Sequence, residues 1–236
     1  MEPEPRTPNP EPRTPNPVEC FRRMRRVFAV LFGVLLLSSA SAAAQEPPPR
    51  IGPFVIDVHA TVPRFPDDNS QLATSHGLSP AQLPGTGLGV QAGAHLYVFR
   101  LKAITFGLGA EVATGRSSQT PDPSSGLAPT EEHFSTFSPQ LSFNFGNGHG
   151  WSYLSGGVGA SNWSIVPVGK EKGPADLERL KTINYGGGAR WFAKPHLAFS
   201  LDVRIYVISP GTAYFPPALG SPHTNLLVIG AGISLK

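Results

Sequence analysis

The stretch Leu197–Ile208, LAFSLDVRIYVI, limits what this chain can fold into more than any other. Leu197, Phe199, Leu201, Val203, Ile205 and Val207 take one set of alternate positions. Ala198, Ser200, Asp202, Arg204, Tyr206 and Ile208 take the other. Strict alternation over this length is the period of a β-strand with two unlike faces. The first face is wholly apolar, while the second carries a carboxylate and a guanidinium among small residues. A tilted strand of about 9–11 residues divided this way is long enough to cross a bilayer.

The same division recurs seven times. Phe54, Ile56, Val58 and Ala60 oppose Val55, Asp57, His59 and Thr61. Leu88–Phe99 sets Val90, Ala92, Ala94, Leu96 and Val98 against Gln91, Gly93, His95 and Tyr97, and Ile104–Val112 sets Ile104, Phe106, Leu108, Ala110 and Val112 against Thr105, Gly107, Gly109 and Glu111. A fourth strand is clear over Gln140–Phe145, with a bulge or fraying end expected at Pro139, which has no N–H for a ladder. Trp151–Trp163, Thr182–Phe192 and Asn225–Leu235 complete a set of eight, the smallest number for a closed membrane barrel. Trp151–Trp163 is the least regular, since Tyr153 and Trp163 do not share the face of Leu154 and Val158.

Loop lengths alternate too. Short turns fall at residues 100–103, 146–150 and 193–196, the second containing Asn147-Gly148, a hairpin signal through its tolerance of positive φ. Long polar loops cover residues 62–86, 117–132, 165–181 and 209–224. Within the first, Ser79-Pro80-Ala81-Gln82 has the cap, proline and return glutamine of a capping box, so a helical turn is expected there. Tyr97, Phe99, Phe143, Phe145, Trp151, Tyr153, Trp191, Phe192 and Phe199 cluster near the short turns. Those facing outward would ring one membrane interface. Phe134, Trp163 and Tyr206 are the candidates for a thinner ring at the other end. A soluble sandwich has no reason to gather its large rings at one end.

Residues 4–10, EPRTPNP, repeat as residues 11–17, a Pro-rich segment that cannot bury a core. Residues 1–23 read as an upstream extension, with Met24 an ordinary start. Arg22, Arg23, Arg25 and Arg26, the apolar run Val27–Leu37 and the Ala42-x-Ala44 site ahead of Gln45 make a signal peptide over residues 24–44, cleaved between Ala44 and Gln45. The apolar run is too short for a transmembrane helix. Residues 45–236 are then the barrel domain. Of 19 Lys+Arg and 16 Asp+Glu, six and four precede Gln45, which leaves 13 against 12. A mature charge of +1 gives no licence for nucleic-acid binding. The one cysteine, Cys20, precedes the apolar run, so the mature chain has no disulfide and no thiolate metal site.

The signal peptide, the eight alternating strands and the closing LLVIGAGISLK resemble the small outer-membrane-protein β-barrel superfamily of Gram-negative bacteria, over about Phe54 to Lys236. The resemblance implies an all-β, eight-stranded antiparallel up-and-down transmembrane barrel in the outer membrane. Its partners would be outer-membrane lipids, the barrel assembly machinery and an extracellular ligand at the long loops; the barrel would be a monomer. Members typically end in an aromatic residue read by that machinery, whereas this chain ends in Leu235-Lys236.

With apolar faces toward lipid, Asp57, His59, His95, Glu111, Arg190, Asp202 and Arg204 point into the barrel. Eight strands leave room for little but side chains there, so an interior polar network of Asp57, Glu111, Arg190, Asp202 and Arg204 is expected to plug the lumen rather than conduct. The glycines at 85, 87 and 89, at 186–188 and at 230 and 232 lack the strand–loop–helix context of a phosphate loop. The seven histidines show no metal-ligand spacing, and no cofactor is implied. His133-Phe134-Ser135, next to Glu131 and Glu132, is similar to the His/Ser/acid arrangement of barrel-shaped lipid A deacylases, although the acid precedes the pair. The leading expectation is a non-catalytic structural or surface-interacting barrel. A narrow transporter for small or apolar solutes, a lipid A-modifying esterase and a soluble lipocalin-type barrel are the alternatives.

Overall fold

A computed structural model describes residues 49–212 and 220–236. The repeat, the signal segment with Ala44 and Gln45, and Cys20 lie outside the described residues. Eight antiparallel strands form one closed barrel in sequence order: β1 (Phe54–Arg64), β2 (Leu88–Leu101), β3 (Ile104–Gln119), β4 (Thr130–Asn147), β5 (Gly150–Pro167), β6 (Arg179–Lys194), β7 (Leu197–Ile208) and β8 (Thr224–Leu235). β1 closes the ring against β8, with Ile56 opposite Leu235 and Arg64 opposite Leu227. None of the eight described strands is left with an unpaired edge, which satisfies their backbone polar groups without water.

Alternation decides the inside and outside of this wall. Along β1, Phe54, Ile56, Val58, Ala60, Val62 and Arg64 are exposed and the residues between them are buried. Along β7, Phe199, Leu201 and Val203 face out while Ser200, Asp202 and Arg204 are buried.

The strands run farther than their apolar pattern. β3 reaches Gln119 instead of stopping at Val112, and β4 begins at Thr130 instead of Gln140. Past Phe137 and Pro139 the added outward residues are polar (Glu131, His133 and Ser135 on β4, Thr114, Arg116 and Ser118 on β3), so hydrophobic periodicity fades where the greasy wall ends, while the ladder continues. The long loops shrink accordingly. Pro139 is neither a bulge nor a fraying end. It sits outward in β4 opposite Ala110, and the β4–β5 register is the same on both sides of it, from Phe137↔Ala160 to Gln140↔Gly157. The β4–β5 turn also differs from expectation. Positive φ belongs to Gly146, not to Asn147 or Gly148. Asn147 instead accepts a hydrogen bond from the His149 backbone N–H at 2.9 Å.

The first loop carries helix α1 (Ser70–Ser75), capped by Asn69, and a 3₁₀ turn at Pro80–Gln82, where the Ser79 N–H donates to Gln82 Oε1 at 3.1 Å. The third loop carries a short helix, α2 (Pro174–Leu177).

Candidate functional site

At mid-barrel the inward side chains form an ionic layer. Arg190 on β6 grips Asp57 on β1 with two parallel bonds, Nε to Oδ1 at 2.8 Å and Nη2 to Oδ2 at 2.6 Å. Ser234 donates a third bond to Asp57 Oδ1 at 2.5 Å, and the Arg190 guanidinium lies 3.8 Å from the centre of the Tyr153 ring. Arg204 on β7 serves two carboxylates: its Nε is 3.0 Å from Glu111 Oε2, and its Nη2 is 3.2 Å from Asp202 Oδ2. It also donates to Asn184 and Ser155. Tyr153 caps Asp202 at 2.6 Å, and Tyr206 caps Glu111 at 2.7 Å. His59 bonds Ser200 at 2.8 Å, and His95 is buried beside this layer without a hydrogen-bond partner among the described residues. The five residues Asp57, Glu111, Arg190, Asp202 and Arg204 thus resolve into one pair and one triad that reach across the lumen, all five at most 4 % exposed. Bidentate and capped contacts of this kind are what makes a buried charge tolerable.

Above that layer the lumen turns apolar. Phe134, Trp163, Ile165, Leu180, Tyr206, Ile208, Leu226 and Val228 pack with Phe65, Leu72 and Leu83 of the first loop. Phe134, Trp163 and Tyr206 therefore do not form an outer aromatic ring. They face inward because this end of the barrel is filled by the first loop, which gives large rings a dry place to pack. Trp163 Nε1 donates to Glu132 Oε1 at 2.7 Å inside this cluster, while Glu132 Oε2 has no partner among the described residues.

The loops over this core are tied to one another. His76, following α1 in the first loop, meets Asp176 of α2 at 2.9 Å. Gln82 donates to the Ala128 carbonyl of the second loop at 2.9 Å. Glu178 accepts from the Thr212 N–H and hydroxyl of the fourth loop. Burial pushes the Asp176 carboxyl up, but bonds from His76, Ile165 N and Gly173 N outweigh it and hold the group below the usual carboxylate value. The loop contacts had no sequence signal, because residues a hundred positions apart carry no shared period.

Outside, the wall is apolar. Leu96 is 64 % exposed and Phe199 is 67 % exposed, and Phe99, Phe143, Phe145 and Trp191 ring the short-turn end; Arg190 and Arg204 are at most 2 % exposed. A folded chain in water would invert this distribution, since a continuous apolar exterior has no favourable contact there. The fold is that of a small membrane-spanning β-barrel.

No protein-family model matches the chain, and no curated relative matches it. Among solved structures the barrel is similar to Neisserial surface protein A, at 14% identity over 78% of this chain and 97% of that one, with a TM-score of 0.49. It is also similar to the attachment invasion locus protein Ail of Yersinia pestis, in complex with the heparin analogue sucrose octasulfate, at 14% identity, 77% and 97% coverage and a TM-score of 0.45. A third is the outer membrane protein OprG of Pseudomonas aeruginosa, at 14% identity, 80% and 97% coverage and a TM-score of 0.46.

The His133 and Ser135 side chains both face outward near the loop end of β4, as does Glu131. His133 Nε2 lies 3.7 Å from Glu131 Oε2, beyond hydrogen-bond reach. Ser135 and His133 form no hydrogen bond, and Glu132 points the other way, to Trp163. The three groups share a face without forming a relay.

Proposed function

We propose that this protein is a non-catalytic outer-membrane barrel, closed to solutes, whose linked loops serve a structural or surface-interaction role. In this reading the chain is exported through cleavage between Ala44 and Gln45, inserted by the barrel assembly machinery, and works as a monomer. The observation that carries the proposal is the occupied lumen: two guanidinium groups and three carboxylates bonded across its middle, with an apolar core and interlocked loops above. A solute would have to break charge-assisted bonds at each step, and eight strands leave no bypass. The absence of a His133–Ser135 hydrogen bond favours the non-catalytic reading over an esterase.

Reconstitution into planar bilayers tests closure. The expected result is no stable conductance above background, with protein that requires detergent for extraction. Steady single-channel currents, or swelling of proteoliposomes in small sugars, would favour the narrow transporter instead. Lipid A acyl profiles from cells expressing wild type and His133→Ala are expected to be identical.

A further inference from the structure

The β3–β4 hairpin outruns its neighbour. β2 begins at Leu88, opposite Arg116, whereas β3 continues to Gln119 and β4 starts at Thr130. Above Leu88 the segment 85–87 stays on β1, with Gly87 N–H donating to the Pro63 carbonyl at 2.9 Å and Thr86 bridged to Arg64, while toward β3 Ser117 Oγ donates to the Thr86 carbonyl at 3.0 Å. This step leaves an open groove of about 650 Å³ on the outer surface, lined by Val62, Thr86, Leu88, Arg116, Glu131 and His133 among others.

The register fixes what shares the groove. Leu88 pairs with Arg116, and Arg116 pairs with His133, so a guanidinium and an imidazole stand side by side next to a leucine that is 75 % exposed. Val62 and Val90 continue the apolar surface on β1 and β2. Among the described residues Arg116 has no ion-pair partner, and the carboxylate lining the groove, Glu131, is turned toward His133. Arg64, facing outward beside Thr86, adds a second cation at the upper edge. The groove therefore straddles the border of the apolar wall, greasy below and cationic above.

We infer that this groove holds the phosphorylated headgroup of an outer-leaflet lipid, with a phosphate on Arg116 and acyl chain over Leu88, Val62 and Val90. The planar fork of arginine matches a phosphate through paired N–H bonds. Exposed apolar side chains directly beneath select a lipid over a free anion, because only a lipid covers both. The assignment rests on the membrane reading above.

The test is native mass spectrometry of the full detergent-extracted protein, titrated with phosphorylated lipid A and with its dephosphorylated counterpart. Wild type should retain the phosphorylated lipid about tenfold better, as expected for one charge-assisted contact. Arg116→Ala should erase that preference, Arg116→Lys should keep part of it, and Lys102→Ala, in the short turn at the opposite rim, should leave it unchanged. Millimolar inorganic phosphate should not displace the lipid. Heat-modifiable gel mobility reports whether each variant is folded. Equal retention by wild type and folded Arg116→Ala, or full displacement by inorganic phosphate, overturns the groove assignment alone. Recovery of the protein without detergent would overturn the membrane reading itself.

Discussion

His76 and Asp176 stand 100 positions apart in the chain, yet His76 Nδ1 lies 2.9 Å from Asp176 Oδ1, and both side chains are buried. The contact joins the first and third loops, and Asp176 also accepts the backbone N–H groups of Ile165 and Gly173. One carboxylate thus fixes a strand end, a helix start and a neighbouring loop.

Because the Asp176 carboxyl is held below its ordinary value in the folded loops, it binds fewer protons there than in the opened state. Its contribution to loop closure is therefore fully present above the ordinary carboxylate pKa of about 4 and is lost as pH falls through the lower folded value. Amide exchange over residues 165–178, corrected for intrinsic rate, should show protection at neutral pH that declines on strong acidification. Asp176→Asn should raise exchange at neutral pH by roughly tenfold, the scale of one buried charged hydrogen bond. Unchanged exchange in the variant would mean that the loops close without this contact.

The Arg190–Asp57 pair calls for a different response. Arg190→Met leaves Asp57 buried with only Ser234 to answer it, and should cost about 3–5 kcal/mol. Pairing it with Asp57→Leu removes the stranded charge and should restore most of the loss. Urea titrations followed by gel mobility measure both. Additive losses in the double variant would contradict a direct pair.

Arg204 stands between Glu111 and Asp202. Arg204→Ala removes the only cation of that triad and opens space between two carboxylates. Because the Arg190–Asp57 pair and the apolar core above still fill the lumen, the variant should stay silent in planar bilayers and instead lose about 3–5 kcal/mol in urea titrations as two buried carboxylates are stranded. Steady currents in a folded variant would show that the triad alone closes the barrel.

Two inward glycines should behave unlike each other. A Cβ on Gly188 would fall 2.0 Å from the Leu201 carbonyl and 2.7 Å from the Tyr153 hydroxyl, whereas one on Gly93 would meet nothing nearer than 3.6 Å. Gly188→Ala should therefore lower stability by roughly 1–3 kcal/mol, the scale of overpacking, while Gly93→Ala stays near wild type. Equal urea midpoints for the two variants would refute the close-packing account.

The barrel was legible in the sequence because lipid outside and charge inside impose a two-residue period, which LAFSLDVRIYVI displays without interruption. Asp57, Arg190, Asp202 and Arg204 could be placed in the lumen by the same parity. Asp202 and Arg204, two positions apart on one face, are neighbours in the sequence itself, but the cross-lumen partners are not legible, since Asp57 meets Arg190 and Glu111 meets Arg204 from different strands, and that distance leaves no trace in one strand. The apolar upper core is illegible for a related reason. Phe134, Trp163 and Tyr206 fall on the polar parity of their strands, and large rings near a loop match an interface in sequence, whereas in the fold α1 packs against them. Pro139 departs from expectation because an outward residue in a closed wall can give up one ladder bond without bending the strand.

Glu132 is the member of that upper core with the least support. It is 1 % exposed, one oxygen accepts from Trp163 Nε1, and the other has no partner; among the described residues no cation pairs with it. A buried carboxylate without a cation is a net cost to folding, so its removal should stabilise the barrel provided the indole keeps an acceptor. Glutamine meets that condition: its carbonyl can take the Trp163 bond, and it has no acid group to bury charged or to neutralise. Glu132→Gln should raise the urea midpoint at neutral pH, by an amount corresponding to about 1–3 kcal/mol. Glu132→Ala should not, because it strands the indole N–H and leaves a void among Phe134, Trp163 and Leu180. A lower midpoint for the glutamine variant would mean that the carboxylate has a partner in the membrane, such as an ordered water chain or a bound cation.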